Sequence, residues 1–274
     1  MSRAPIESWR TRKDELGDFE RRSLTFEGRE RTVFVAGSGP AVVVMTEMPG
    51  ISPEVARFAR IVRDAGFTVY MPALFGEPGR PVTLPYAASQ ILRGCVAREF
   101  RALSRDVSAP ATRWMRALAK QAHEECGGRG VGAIGMCFTG NFALSMMLEP
   151  AVRAPVLCQP SLPILSHDHV HSSPEELREV RARMEREDLH ALAYRFEGDD
   201  FCRKARFDAY ERALGDRIKL VTLPDSAANP AAQSANPHSV VTIHLIDEAG
   251  QPTRAAVDEI LAFFRSQLLG SAPA

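Results

Sequence analysis

The sequence has no surplus of either charge: across 274 residues, 34 lysines and arginines balance 34 aspartates and glutamates. Without a basic excess there is no general attraction to nucleic acid or to an anionic lipid surface, so no nucleic-acid partner is expected. Long apolar runs are also missing. A spanning helix needs roughly 20 consecutive apolar residues, whereas the strongest runs here are strand-length pieces such as Ala41 to Met45, and no membrane partner is expected. The opening MSRAPIESWRTRKDELGD alternates charges and lacks the apolar centre of a secretory signal, so the expected location is cytoplasmic. The five cysteines, Cys95, Cys126, Cys137, Cys158 and Cys202, include no CxxC pair, and their odd number argues against a disulfide framework. Each is expected to be a free thiol, either packed as a small hydrophobe or placed for chemistry.

What is present is a hydrophobic content of 45%, enough to build a substantial core, and the default expectation is one domain over residues 1–274. Residues 1–22 read as a polar arm or irregular first helix. Leu24 to Phe26 and Arg31 to Val35 read as a strand pair before the turn Gly37-Ser38-Gly39-Pro40. Ala41-Val42-Val43-Val44-Met45 is a strand buried on both faces. Ser52-Pro53-Glu54 then supplies a cap, an N-terminal proline and an acid for a helix ending near Gly66, and Phe67 to Met71 completes a βαβ unit.

The alternation continues. Helices are predicted over Ala111 to Glu125, Phe138 to Leu148, Pro174 to Glu187, Ala205 to Leu214 and Pro252 to Leu268. Strands are predicted over Val131 to Ile134, Ala154 to Cys158, Ala191 to Phe196 and Ile218 to Leu223. Strands and helices in turn argue for an α/β fold with a mostly parallel, doubly wound sheet flanked by helices. Residues 73–110, rich in Pro and Gly and then helical around Tyr86 to Phe100, break the rhythm and read as a small cap insertion. Asp225 to Pro237 reads as an irregular loop.

Between a predicted strand and a predicted helix lies Gly135-Met136-Cys137-Phe138-Thr139-Gly140. A sharp strand-to-helix turn with small neighbours projects one side chain above the sheet; this is the nucleophile elbow of α/β-hydrolase folds, here with cysteine in the nucleophile position. The helix N-terminus behind Cys137 favours a thiolate, and the Phe138 amide points toward a developing oxyanion. The second glycine of the usual pattern is replaced by Thr139, with Gly140 one place later.

In this architecture an acid and then a histidine follow the nucleophile along the chain. The acid is sought after the strand ending at Phe196, where Asp199 is favoured and Asp200 is the alternative. The histidine is sought beyond the strand ending near Leu223: His238 comes first, and His244, inside the apolar segment Val240 to Leu245, is assigned to packing or support. His167, His169 and His171 alternate in a pattern conceivable for metal, but no fourth ligand is in view, and neither metal nor cofactor is expected.

These residues resemble the dienelactone hydrolase family, α/β hydrolases with a Cys-Asp-His triad that open lactones and enol esters. Gly135-Met136-Cys137, the segment Thr46-Glu47-Met48-Pro49-Gly50 and His238-Ser239 carry the likeness, which extends from about Val42 to the final helix. The resemblance implies that Glu47 takes the thiol proton of Cys137 and that the Met48 amide joins Phe138 as an oxyanion donor. It also marks a departure. Family members acting on dienelactone hold a carboxylate with arginines, one of them shortly after the histidine, whereas His238 is followed by Ser-Val-Val-Thr-Ile. Arg98, in the cap, is the candidate substrate-binding replacement. The expected function is hydrolysis of a small-molecule carboxylic ester or lactone through a Cys137 thioester; thioesterase or acyltransferase chemistry on the same machinery, or a non-catalytic small-molecule binder, are the alternatives.

Overall fold

A computed structural model describes residues 7–232, 234 and 236–269. Eight strands make a single sheet in the order β1-β2-β4-β3-β5-β6-β7-β8. These are β1 Glu20–Phe26, β2 Arg29–Ala36, β3 Ala41–Met45, β4 Thr68–Pro72, β5 Val131–Met136, β6 Val152–Cys158, β7 Ala191–Phe196 and β8 Ile218–Leu223. β1 and β2 are antiparallel to each other, and β2 is antiparallel to β4; from β4 onward every pairing is parallel. Each parallel connection returns through a helix or a long loop. The helices are α1 Pro53–Asp64, α2 Leu84–Val96, α3 Ala111–Cys126, α4 Phe142–Ser145, α5 Pro174–Glu187, α6 Lys204–Leu214 and α7 Pro252–Leu268.

The β-branched run of β3 explains its place at the centre. Val43 and Met45 point into one core layer, with Trp114, Leu118 and Phe142, while Val42 and Val44 point into the other, with Val55, Phe58 and Phe264. A strand apolar on both faces is stable only with helices on both sides. α1 begins as its sequence foretells: Ser52 Oγ accepts the Val55 amide at 3.3 Å, and Pro53 opens the first turn. α7 crosses β5 where Gly132 leaves room, since a Cβ there would lie 3.0 Å from the Phe264 ring.

The structure departs from the sequence reading in three places. The N-terminal arm is shorter than 1–22: a single 3-10 turn spans Ser8–Thr11, β1 starts at Glu20, and residues 1–6 lie outside the described residues. In the insertion 73–110 the helix runs from Leu84 to Val96, ahead of the Tyr86 to Phe100 expected. The helix expected from Phe138 to Leu148 is broken into a 3-10 turn, Cys137–Thr139, the short α4, and a second 3-10 turn, Met146–Leu148. Its cause is local. The Cys137 carbonyl accepts the amides of Gly140 and Ser161, both at 3.0 Å, so the first turn closes at three residues and an incoming loop uses the same acceptor.

Among the described residues no helix is long and apolar enough to cross a membrane.

Candidate active site

Parallel pairing places the C-terminal ends of β3, β5, β6, β7 and β8 along one edge, where open α/β sheets bind their ligands. The register Met45↔Gly135 sets the turn after β3 beside the turn after β5, and Met136↔Cys158 adds the turn after β6.

Cys137 leaves β5 with φ of 53°, a left-handed conformation that costs a non-glycine residue roughly 1–2 kcal/mol. Its surroundings enforce this turn. A Cβ on Gly135 would sit 2.1 Å from the Thr139 carbonyl oxygen, and one on Gly140 would sit 2.5 Å from Pro160 Cα. Both glycines are therefore demanded by space, with the second displaced by one position relative to the usual motif. Thr139, buried between them, accepts the Met136 amide at 3.0 Å and directs its hydroxyl at the Met45 and Thr46 carbonyls, 3.1 and 3.2 Å away. It fastens the elbow to the end of β3.

Asp199 is buried in the turn after β7, and Asp200 is exposed. One Asp199 oxygen, Oδ1, accepts the amides of Phe201 and Cys202 at 2.9 and 3.0 Å; the other, Oδ2, lies 2.7 Å from His238 Nδ1. A carboxylate fixed by two amides orients the ring and assigns the Nδ1 proton to this contact, which leaves Nε2 as the nitrogen that exchanges a proton with a reacting group. Nε2 is buried and has no hydrogen-bond partner among the described residues. Burial alone lowers the His238 pKa, but the charges of its neighbours Cys137 and Asp199, with the Asp199 hydrogen bond, outweigh that effect and raise it well above 6.5. The exposed Phe201 ring stands edge-on to the His238 ring, with centroids 5.2 Å apart.

The structure thus brings Cys137, Asp199 and His238 together. His244 lies behind them: its Nδ1 accepts the His238 and Ser239 amides at 3.3 and 3.1 Å, and burial depresses its pKa to about 4, so the acceptor lone pair stays free at neutral pH. The Phe138 amide belongs to the first turn of a 3-10 helix and has no preceding turn to bond. Its ring is clamped by Phe75 and Phe100, with centroids 5.3 and 5.4 Å away. Met48 follows β3 on the neighbouring turn, and its side chain reaches Gly94 of α2, where a Cβ would meet Met48 Cε at 2.4 Å.

Glu47 is buried after β3, and burial pushes its pKa above the usual carboxylate range despite hydrogen bonds from Ser239 and Thr242. Its hydrogen-bond partners are Ser239 and Thr242 of the histidine loop and Gln159 after β6, and Cys137 is not one of them. Arg98 is exposed and lines a surface groove with Arg29, Glu99 and Leu103 that includes none of Cys137, Asp199 and His238, so the structure does not bring it to this cluster. The alternating histidines form no metal cage: His169 faces Asp106, His171 Nε2 meets the Arg101 carbonyl, and no three-residue ligand group occurs among the described residues.

Two residues here carry no sequence signal that would have picked them out. Ser161 places Oγ 3.5 Å from Cys137 Sγ and donates its amide to the Cys137 carbonyl. Gln159 is completely buried after β6 and joins Glu47 to the histidine loop.

No curated protein sequence matches the chain. Its fold is similar to that of an esterase from the Planctomycetes species Thermogutta terrifontis, with a TM-score of 0.53 at 13% identity, over 95% of this chain and 97% of that one. It is also similar to the thioesterase domain from the curacin biosynthetic pathway, with a TM-score of 0.54 at 10% identity over 89% and 99% of the two chains. A dienelactone hydrolase-like promiscuous phosphotriesterase from metagenomic libraries aligns with a TM-score of 0.52 at 17% identity over 92% and 100%. At these identities the likeness is one of fold, an α/β-hydrolase sheet flanked by helices. The model of the dienelactone hydrolase family matches residues 31–176, more than half of the sequence and including the β3 turn and the Cys137 elbow, and the chain therefore belongs to that family of hydrolases.

Proposed function

We propose that the protein hydrolyses carboxylic esters or lactones through a thioester on Cys137. The thiol gives its proton to His238 Nε2 while sulfur adds to the acyl carbon, and the oxyanion that forms is met by the amides of Phe138 and Met48. The imidazolium, steadied by Asp199, passes the proton to the departing alkoxide. Water then enters, loses a proton to His238 and attacks the thioester, which restores the thiol. No step calls for a metal or a cofactor.

One observation carries this reading: His238 is pinned through Nδ1 to a buried carboxylate, 2.7 Å away, while its other nitrogen is unpartnered beside a cysteine held in a strained elbow. In a free enzyme the last hydrogen bond of such a relay is commonly unformed until substrate arrives.

The test uses short-chain p-nitrophenyl esters and a panel of lactones with wild type and Cys137→Ala. Loss of the nucleophile is expected to lower kcat by at least about 10³-fold, and intact-mass measurement of wild type mixed with a slow ester is expected to show one acyl group on Cys137. Absence of turnover above background over the whole panel, with no labelling of Cys137, would discard the proposal.

A further inference from the structure

The loop after β6 is held in place by atoms other than the Ser161 hydroxyl. The Ser161 amide donates to the Cys137 carbonyl at 3.0 Å. Two places earlier, Gln159 donates its amide to the Tyr194 carbonyl of β7 at 2.7 Å; two places later, the Pro163 carbonyl accepts from the fully buried Arg206 guanidinium at 2.7 Å. Pro160 is packed against Gly140, where a Cβ would meet its Cα at 2.5 Å. The backbone on both sides of Ser161 is therefore fixed without its side chain. That side chain has a single use. Ser161 is only 7% exposed, and its Oγ has one hydrogen-bond contact among the described residues, Cys137 Sγ at 3.5 Å. A buried hydroxyl needs a partner, and here the partner is the nucleophile itself.

We propose that Ser161 is a catalytic residue whose hydroxyl donates a hydrogen bond to the Cys137 sulfur once the thiol proton has left, and so sets how much of the nucleophile is present as thiolate. The inference rests on the thioester reading above and adds a group that reading does not use. A neutral thiol can donate to Oγ or accept from it, whereas a thiolate can only accept. Deprotonation turns the Ser161 proton toward sulfur, and the contact becomes a charge-assisted bond, about twice as strong as a neutral one. Because the loop already holds Oγ in place, the donor needs no reorganisation at that moment. The titratable groups on the elements around the elbow are Glu47 after β3, Cys158 on β6, Asp199 and Cys202 after β7, and His238 after β8; of these only His238 can be cationic. Ser161 supplies a donor that keeps its proton whatever the state of His238. The bond also leaves a recognisable mark. A stabilised thiolate is more abundant but less nucleophilic, since reactivity falls with basicity along a Brønsted slope of about 0.4–0.5. Loss of the donor should slow the sulfur where the thiol form predominates and quicken it where the thiolate is fully formed.

The experiment follows exchange of Cys137 with bis(2-hydroxyethyl) disulfide against pH, by peptide mass spectrometry in the whole protein, a readout that requires no substrate. The Cys137 thiolate forms one S–S bond to the reagent as the reagent's own S–S bond breaks, and the departing 2-hydroxyethanethiolate carries off the electron pair. For Ser161→Ala the inflection is expected to rise by about one pH unit. The rate is then roughly 3-fold lower below the wild-type inflection and roughly 3-fold higher on the alkaline plateau, so that the two profiles cross. Below the inflection, kcat/KM for a Cys137-dependent ester should fall with it, again by roughly 3-fold. Ser161→Thr keeps a hydroxyl and is expected to hold the wild-type inflection. An inflection that stays at the wild-type pH in Ser161→Ala overturns the proposal, whether the rate is unchanged or is lowered by one factor throughout, as a merely displaced elbow would give. Hydrolysis undiminished in Cys137→Ala is a different failure: it removes the thioester reading, while the exchange profile still decides whether Ser161 bonds the sulfur.

Discussion

Thr139 is a residue whose side chain does what its position in the motif does not suggest. The usual elbow has glycine two places after the nucleophile because the turn is crowded; here the space is spared at Gly140, and position 139 is free to carry a hydroxyl that joins β5 to β3. The Met136 amide has this hydroxyl as a buried acceptor, so Thr139→Val, nearly isosteric, strands a donor. The expected loss is about 1–3 kcal/mol of unfolding free energy, read by urea denaturation. Because the same hydroxyl keeps Cys137 in its left-handed conformation, slower alkylation of Cys137 should accompany the loss. A valine variant as stable and as reactive as wild type would show that packing alone closes the turn.

Among the elements, the turn after β7 joins three tasks in a few residues. Gly198 donates its amide to Asp225 at 2.7 Å and has no room for a Cβ against that carboxylate; Asp199 both closes the turn and orients His238; Phe201 stands edge-on to the histidine ring. A leaving group must come within hydrogen-bond reach of His238 Nε2 to be protonated, so its carbon skeleton passes close to Phe201. For Phe201→Ala the expected outcome is a kcat/KM lowered roughly ten-fold for aryl esters, about 1.4 kcal/mol of lost contact, and little changed for methyl esters of the same acid. Deacylation of the shared acyl-enzyme should not move. Equal losses for both leaving groups would place Phe201 outside the alcohol subsite. The turn itself was legible in the sequence, since an acid after a strand and before a helix follows from chain order, as did the strands of the parallel sheet, whose apolar runs are unambiguous. Gln159, Ser161 and the ties of Glu47 were not legible. Their partners lie 24 to 195 positions away, and only the strand order β3-β5-β6-β7 brings those ends together. The break at Gly140 was hidden for the same reason, because the group that takes the Cys137 carbonyl arrives from the β6 loop.

For the molecule as a whole, the edge loops are tied to the sheet by buried histidines, and this makes stability sensitive to acid. His171, in the loop after β6, donates Nε2–H to the Arg101 carbonyl, and His244 supports the His238 loop; burial lowers both pKa values to about 4. An unfolded histidine takes up a proton near pH 6.5, and the folded one does so only near 4. Between these values the unfolded chain binds more protons, so stability declines as the pH falls through that window. The limiting slope is about 1.4 kcal/mol per pH unit for each histidine. Glu47 and Glu54 act in the opposite sense, because their folded pKa values are raised: the stability they lend is complete below 4.5 and is lost as the pH rises through the folded value. The net curve mixes both signs, and a difference between variants separates them. Urea denaturation of wild type and His171→Asn at several pH values between about 4 and 6.5 is expected to show a shallower decline in the variant, by up to the slope of one histidine, whatever its stability at neutral pH. Parallel curves would mean that His171 is protonated as readily in the folded protein as in the unfolded chain.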